Sequence, residues 1–274
     1  MEATSIRTKI WSVLAANSDR KIVRKTRTLA ERIVQFLHAE NHDFRSNGES
    51  RVLDSLGSSA TVILDVGANR GGWSLEASRR CRKAQIHCFE ISSITRQQLK
   101  DNVASAPQIK VADFGLAESS GWRQVKYYPD RDAVTSIYDY PHPGPYTWIE
   151  ECVQTGDGFV SESGLTHIDL LKIDAEGSDF HILKGFEQTL SRRIASVVQF
   201  EYGFACVLSR SLLIDFYELL EDKDYVVGKL HKSGVEFRGY RLEDENFFGP
   251  NFIAVQRKNK RLIAKLSEKY DKAL

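Results

Sequence analysis

The sequence predicts an α/β fold: a seven-stranded, mostly parallel sheet with helices on both faces, preceded by a helical appendage. Three observations carry that expectation. From residue 60 onward, short apolar runs alternate with stretches of helical periodicity, the pattern of parallel strands joined by crossover helices. The first run, in residues 61–72 (TVILDVGANRGG), passes directly into a glycine-rich turn and a helix. Several runs end in a carboxylate, and in a parallel sheet those ends share one edge, where open α/β sheets bind their ligands.

In chain order, residues 1–56 read as an N-terminal helical segment. Ile6, Ile10, Val13 and Leu14 fall at helical spacing, as do Ile22, Leu29, Ile33, Phe36 and Leu37 in a second helix that is basic early (Arg20, Lys21, Arg24, Lys25, Arg27). This pair either packs on the main domain or on a dimer partner, or it serves as a lid or a docking face for an acidic partner. Residues 41–50 are polar, and 51–56 make one further helical turn. The main domain is expected over 57–260, with strands at 61–66, 85–90, 109–113, 168–174, 196–201, 225–230 and 251–256, the last two closing as a hairpin. Helices are expected at about 72–80, 95–103, 179–190 and 212–220, and residues 261–274 form a C-terminal helix or tail. An insertion occupies about 115–160.

Composition narrows the partners. A chain of 274 residues with 42% hydrophobic content supports a sizeable core, and its net charge of +1 creates no global field for nucleic acid or membrane. Cys81, Cys88, Cys152 and Cys206 show no Cys-x-x-Cys spacing and read as small hydrophobes in a reducing, cytoplasmic compartment. No apolar run reaches the ~18 residues of a membrane span, and the apolar stretch at 10–16 lacks a signal-peptide cleavage site.

The turn after the first strand narrows the ligand. Gly67, Gly71 and Gly72 permit positive φ and close approach, and the following helix offers unpaired amides. A dinucleotide fingerprint needs a second glycine where Ala68 stands, and Asp65 before the first glycine sits badly beside a pyrophosphate. The combination suits a cationic, hydroxyl-bearing ligand such as S-adenosylmethionine; an ordinary tight strand-to-helix turn is the bland alternative. Asp65, Glu90, Asp113, Asp174 and Glu201 all fall at strand ends. Glu90 lies near the ~20-residue offset at which an acid grips ribose hydroxyls, and Asp113 with Phe114 falls where an adenine edge and face would lie.

These residues resemble a known family. Asp65, Val66, Gly67, Ala68, Asn69 and Gly71, then Phe89 and Glu90, then Asn102 are similar to the class I S-adenosylmethionine-dependent methyltransferases of the FkbM family, which have a Rossmann-like sheet. The most specific piece is 168–185, IDLLKIDAEGSDFHILKG, which resembles the family's Lys-Ile-Asp-x-Glu-Gly strand and turn; Phe200, Glu201 and residues 251–254 fit its later strands. The resemblance covers about 60–256. One departure is Ile91 in the adenine loop, where the family usually has proline. Membership implies methylation of a hydroxyl on a sugar, polyketide or other small natural product. The expected cofactor contacts are Asp65, Gly67, Ala68, Asn69, Gly71, Glu90, Ile91, Asp113, Phe114 and Asp174.

Methyl transfer to a hydroxyl calls for in-line positioning and, for a poorly acidic alcohol, a general base. Candidates are Asp174, Glu176, His181 and Glu201, with His181 equally suited to a capping role. Lys172 alternates with Asp174 on one strand face, so a buried Lys–carboxylate pair is expected. No metal is expected, because nothing in the spacing demands one. The insertion concentrates Trp122, Tyr127, Tyr128, Tyr138, Tyr140, Tyr146 and Trp148 with four prolines. It either floors an acceptor through Tyr138, Tyr140, His142 and Tyr146, with Asp139 as a further polar contact, or forms a hairpin whose aromatics cover the sheet's flank. The expected partner is a small-molecule hydroxyl acceptor, with a homodimer possible through the N-terminal helices. A nucleic-acid methyltransferase of the same fold and a non-catalytic cofactor-binding module are the rivals; no basic stripe accompanies the aromatics at 122–148.

Overall fold

A computed structural model describes residues 6–38, 43–249 and 251–271. They fall into two units, one within residues 1–40 and one within 41–274. The first holds helices α1 (Ile6–Ala16) and α2 (Lys21–His38). The second begins with α3 (Glu49–Leu56), so the boundary lies before this helix rather than after residue 56. The reason is burial: Val52 and Leu53 are fully enclosed in the core of the larger unit.

The larger unit continues with β1 (Val62–Val66), α4 (Gly72–Arg80), β2 (Gln85–Phe89), α5 (Ser93–Val103) and β3 (Ile109–Val111). The insertion supplies β4 (Gly115–Leu116), β5 (Gly121–Tyr127), β6 (Thr147–Gln154) and α6 (Gly156–Glu162). Then come β7 (Ile168–Ile173), α7 (Asp179–Lys184), α8 (Glu187–Ser191), β8 (Ala195–Glu201), α9 (Cys206–Ser209) and α10 (Leu213–Asp222). The chain closes with β9 (Tyr225–His231), β10 (Gly234–Phe237), β11 (Asn251–Gln256) and α11 (Lys260–Asp271).

The main sheet runs β10-β9-β11-β8-β7-β1-β2-β3. Its centre is parallel, and β11 enters antiparallel between β8 and β9. It has eight strands where seven were expected. The extra one, β10, makes the tight hairpin with β9, so the expected pairing of 225–230 with 251–256 is adjacency without a short turn. A four-residue strand in which only Gly234 and Val235 are buried carries too little periodicity to be read from sequence.

Alternation along each strand divides the core in two, because successive side chains leave opposite faces. Leu64, Leu171, Val198 and Phe200 pack under α6, α7, α8 and α10. Ile63, Leu170, Val197 and Ile253 pack under α3, α4, α5 and α11. Leu266 of α11 is almost fully enclosed, so the C-terminal helix is part of this core rather than a tail. The strand order reverses between β1 and β7, which puts the carboxyl ends of both beside one crevice.

Candidate active site

The turn from β1 to α4 forms one wall of the crevice. Its backbone is left-handed at Gly67 (φ 77°), Asn69 (φ 46°) and Gly71 (φ 85°). A Cβ at Gly67 would stand 1.8 Å from the Asp174 carbonyl oxygen, so the chain of β7, not a ligand, demands glycine here. The amides from Gly67 to Gly71 are all spent inside the protein. Gly67 and Ala68 donate to the Phe89 carbonyl and Gly71 to the Ala68 carbonyl. Asn69 donates to Glu90 Oε2, and Arg70 to Asn69 Oδ1. These five amides therefore hold the turn itself together, and the unpaired amides expected of the following helix belong to its first turn, from Gly72 onward. Asn102 braces the turn by donating to the Arg70 carbonyl at 3.0 Å.

Glu90 follows β2. Its carboxylate accepts from the Asn69 and Ser92 amides, each at 3.0 Å, and the Arg96 guanidinium holds its carbonyl. Burial pushes its pKa up to about 7, against the pull of those two amides. Glu90, Ile91, Gly67 and Asn69 line a cavity of about 150 Å³, faced from β7 by Asp174 and Glu176. Residues 132–137 of the insertion cover it as a strap. Arg70 Nε meets Asp132 Oδ2 at 2.7 Å, and Ser136 Oγ donates to the Glu176 carbonyl at 3.1 Å. Among the described residues that line the cavity, none is lysine or arginine. An acidic, hydroxyl-accepting chamber with no anion partner fits a cationic nucleoside better than a phosphate-bearing one.

The match of known families falls on this same machinery. The family described as "Methyltransferase FkbM domain" matches residues 65–227, more than half of the chain. The chain belongs to that family. Relatives of the FkbM domain include the 2-O-methyltransferase NoeI of Sinorhizobium fredii, 26% identical over 48% of this chain and 59% of its own length. The hexuronic acid methyltransferase AglP of Haloferax volcanii is 27% identical over 61% of this chain and 70% of its own. The 31-O-demethyl-FK506 methyltransferase FkbM of Streptomyces tacrolimicus is 27% identical over 50% of this chain and 64% of its own. The chain thus spans about three fifths to seven tenths of these relatives.

Within the FkbM domain, Asp65 lies beneath the turn rather than in the cavity. It is fully buried, accepts from Ser74 Oγ at 2.5 Å, and meets Lys172 Nζ at 3.2 Å. Lys172 reaches Asp174 Oδ2 at 3.3 Å, forming the expected buried pair and extending it to three groups. Burial opposes its charge, but Asp65 and Asp174 outweigh that and hold Lys172 above the ordinary lysine range. Ala68 points into the core.

Beyond Asp174 the chain turns through Glu176 (φ 48°) and Gly177 (φ 91°) into α7. Four carboxyls crowd this turn. Burial, then Asp174 and Asp179, pushes Glu176 up to about 8. Burial and Asp174 push Asp179 up to about 7. Burial and the same neighbours push Glu201 well above the carboxylate range, with Asp174 hydrogen-bonded to it. Sequence reasoning missed Asp179 as a site residue, because an acid in a helix's first turn is an ordinary complement to the helix dipole. Here it also accepts from the amides of Ala175 and Glu201, at 3.3 and 3.2 Å, tying β7's turn to β8. Among the described residues, no group of three His, Cys, Asp or Glu side chains is placed to hold a metal ion.

Other expected residues stand apart from the cavity. Asp113 is exposed and pairs with Lys100 at 2.5 Å, while Phe114 packs against Phe89 in the core. His181 is bound to Glu118 at 2.8 Å and, with Tyr138, lines a neighbouring cavity that shares Ile91 and Ser178 with the first. The Tyr140 carbonyl accepts from the Tyr128 hydroxyl, His142 lies 3.3 Å from Asp130, and Tyr146 stacks over Lys126. The aromatics belong to the β5–β6 hairpin of a separate three-stranded sheet, β4-β6-β5. The insertion's contribution to the cavity comes instead from Asp132, Thr135, Ser136 and Ile137, whose polar, irregular sequence gave no signal.

Proposed function

We propose that this chain is an S-adenosylmethionine-dependent O-methyltransferase acting on a hydroxyl of a small natural product of the sugar or polyketide kind. The observation that carries the reading is the cavity at the β1–β7 switch point, walled by Glu90, Asp174 and Glu176 and lacking basic side chains. Two of the relatives, the 2-O-methyltransferase NoeI and the 31-O-demethyl-FK506 methyltransferase FkbM, are named for methylation at oxygen, and AglP is named for a hexuronic acid, which supports this reading.

When bound, the cofactor supplies a methyl group already activated by its sulfonium. The remaining lone pairs of the Glu90 carboxylate would accept the ribose hydroxyls, and Ile91, which lines the same cavity, would border the base. Asp174 holds the acceptor hydroxyl in line and takes its proton, worth ~10²–10⁴-fold. Lys172 fixes one Asp174 oxygen, and Glu201 meets the same carboxyl from β8. Asp65 acts through Lys172 rather than by contact.

Calorimetry with S-adenosylmethionine, followed by mass spectrometry of a hydroxylated acceptor panel, tests this. Binding and methylation at oxygen are expected. No binding at millimolar cofactor sinks the reading, and binding without turnover across the panel leaves a cofactor-holding module. Salt-sensitive RNA binding with methylated RNA as product would favour the nucleic-acid rival.

A further inference from the structure

The whole-chain charge of +1 conceals an uneven distribution. Residues 6–38 hold eight lysines and arginines against Asp19 and Glu31, a balance of +6, so the rest of the chain is net acidic at −5. The same residues present large apolar side chains to solvent. Ile22, Leu29 and Ile33 of α2 each expose half or more of their surface, as do Ile10, Trp11 and Val13 of α1. By helical spacing Ile22, Leu29 and Ile33 share one face of the 18-residue α2. Lys21, Arg24, Lys25 and Arg32 border one open groove together with Leu29. Arg27 pairs with Glu31 at 3.5 Å, which engages one of the two acids.

We infer that α1 and α2 dock the protein on an anionic lipid bilayer, lying in the plane of the interface. A helix with an exposed apolar face, a basic flank and a nearby tryptophan is built for that boundary: the apolar side enters the acyl region while the cations meet lipid phosphates. Among the described residues no helix is long and apolar enough to cross a membrane, so the helices rest on it. A competing occupant is the same helical segment of a second copy of this chain. That arrangement would bring two segments of +6 together, and the like charges would oppose it, whereas an anionic surface complements them.

Co-sedimentation of the full chain with phosphatidylcholine vesicles, with and without about one third phosphatidylglycerol, tests the inference. The chain should pellet with the anionic vesicles and stay in solution with the neutral ones, and release should follow a rise in salt. Leu29→Asp with Ile33→Asp, and separately Lys25→Glu with Arg32→Glu, should each lower partitioning at least about tenfold. The thermal unfolding of the larger unit should stay unchanged. Equal binding to both vesicle types, no binding at low salt, or retention by both double variants would overturn it. So would ultracentrifugation showing a vesicle-free dimer that the Leu29→Asp, Ile33→Asp variant dissolves, since a second copy would then cover the face.

Discussion

Two walls of the same cavity are built on different principles. The wall from β1 is backbone: the five amides of residues 67–71 are bonded within the protein, and Gly67 has no room for a side chain. The strap from the insertion is side chain: an Arg70–Asp132 ion pair and a Ser136 hydroxyl hold it to the two loops it crosses. The difference teaches that the β1 side of this site is fixed by the sheet, while the covering side is adjustable.

The largest effect is expected from Gly67→Val. The residue sits at φ 77°, and its Cβ would lie 1.8 Å from the Asp174 carbonyl oxygen, so β1 and β7 must separate locally. Backbone strain and overpacking together should cost at least about 3 kcal/mol of stability, read by urea denaturation. An unchanged midpoint would mean the strand ends are not rigidly packed, and the comparison would fail at its first term.

Asp174→Asn comes next. It keeps the shape of the β7 wall and removes its basicity. Turnover should fall by ~10²-fold or more with cofactor affinity little changed. Glu176→Gln and Glu201→Gln, run beside it, separate the base from its neighbours. Near-full turnover in Asp174→Asn would leave positioning as the whole of catalysis, and a large loss of affinity would make Asp174 a cofactor anchor.

Glu90→Ala should weaken cofactor binding by about 1.5–3 kcal/mol, the worth of hydrogen bonds to a charged acceptor. Because burial holds Glu90 at about 7, the ionised form is depleted below neutral pH. Affinity should therefore drop as pH falls from 8 to 6, by up to about tenfold per unit below 7, and Glu90→Gln should lack that dependence. A flat pH profile in the wild type would argue that the ribose finds another partner.

The crowded carboxyls also predict a direction for stability. Glu90, Glu176 and Asp179 are pushed up to about 7 to 8 in the folded chain, and burial with the neighbouring acids also raises Glu201 well above the carboxylate range, against about 4 when unfolded. The folded state then binds more protons than the unfolded state, so stability falls as pH rises through that window. The melting midpoint without ligand should be higher at pH 7 than at pH 8.5 by about 2 °C or more. The half-buried His87 and His231 do not oppose this trend, because desolvation lowers both below the usual histidine value. Glu201→Gln should flatten the trend; an increase of stability with pH would contradict the crowding.

How much of this was legible in the sequence follows the same division. Alternating apolar runs specify a sheet face directly, so the central strands and the divided core were readable. Positive φ at Gly67 was readable too, though its cause was misassigned: a neighbouring backbone, not a ligand, fills the space. Glu90 and Asp174 line the cavity, as expected from strand ends, because the ends of β2 and β7 place them there whatever the side chains do. Asp113 failed the same rule, since Lys100 one helix earlier draws it outward, and that pairing is tertiary. Of the two readings of the insertion, the hairpin is the one that forms, and the acceptor floor of Tyr140, His142 and Tyr146 does not. Tyr140, His142 and Tyr146 are conspicuous as residues, but hairpin geometry takes them away from the cavity, and the short polar stretch between β5 and β6 does the covering. Loops owe their course to contacts distant in sequence, so composition there is a poor guide.

The smallest effect separates the walls most directly. The cavity of about 150 Å³ is smaller than the ~300–1,000 Å³ that ligand pockets of drug-like size occupy, so the strap has to move for a nucleoside to enter. The Arg70–Asp132 pair is the natural latch, with Arg70 largely exposed. Exposed pairs contribute about 0–1 kcal/mol, so Arg70→Ala should leave stability almost unchanged. Its signature should be kinetic. Both association and dissociation of cofactor should quicken by a few fold in stopped-flow fluorescence, with the dissociation constant moving less than either rate. Raised salt should quicken the wild type in the same way, because screening weakens an exposed pair, and should add nothing to Arg70→Ala. If the variant's rates match the wild type's at every salt concentration, the strap opens elsewhere, and Ser136→Ala, which frees its other attachment, becomes the variant that must show the change.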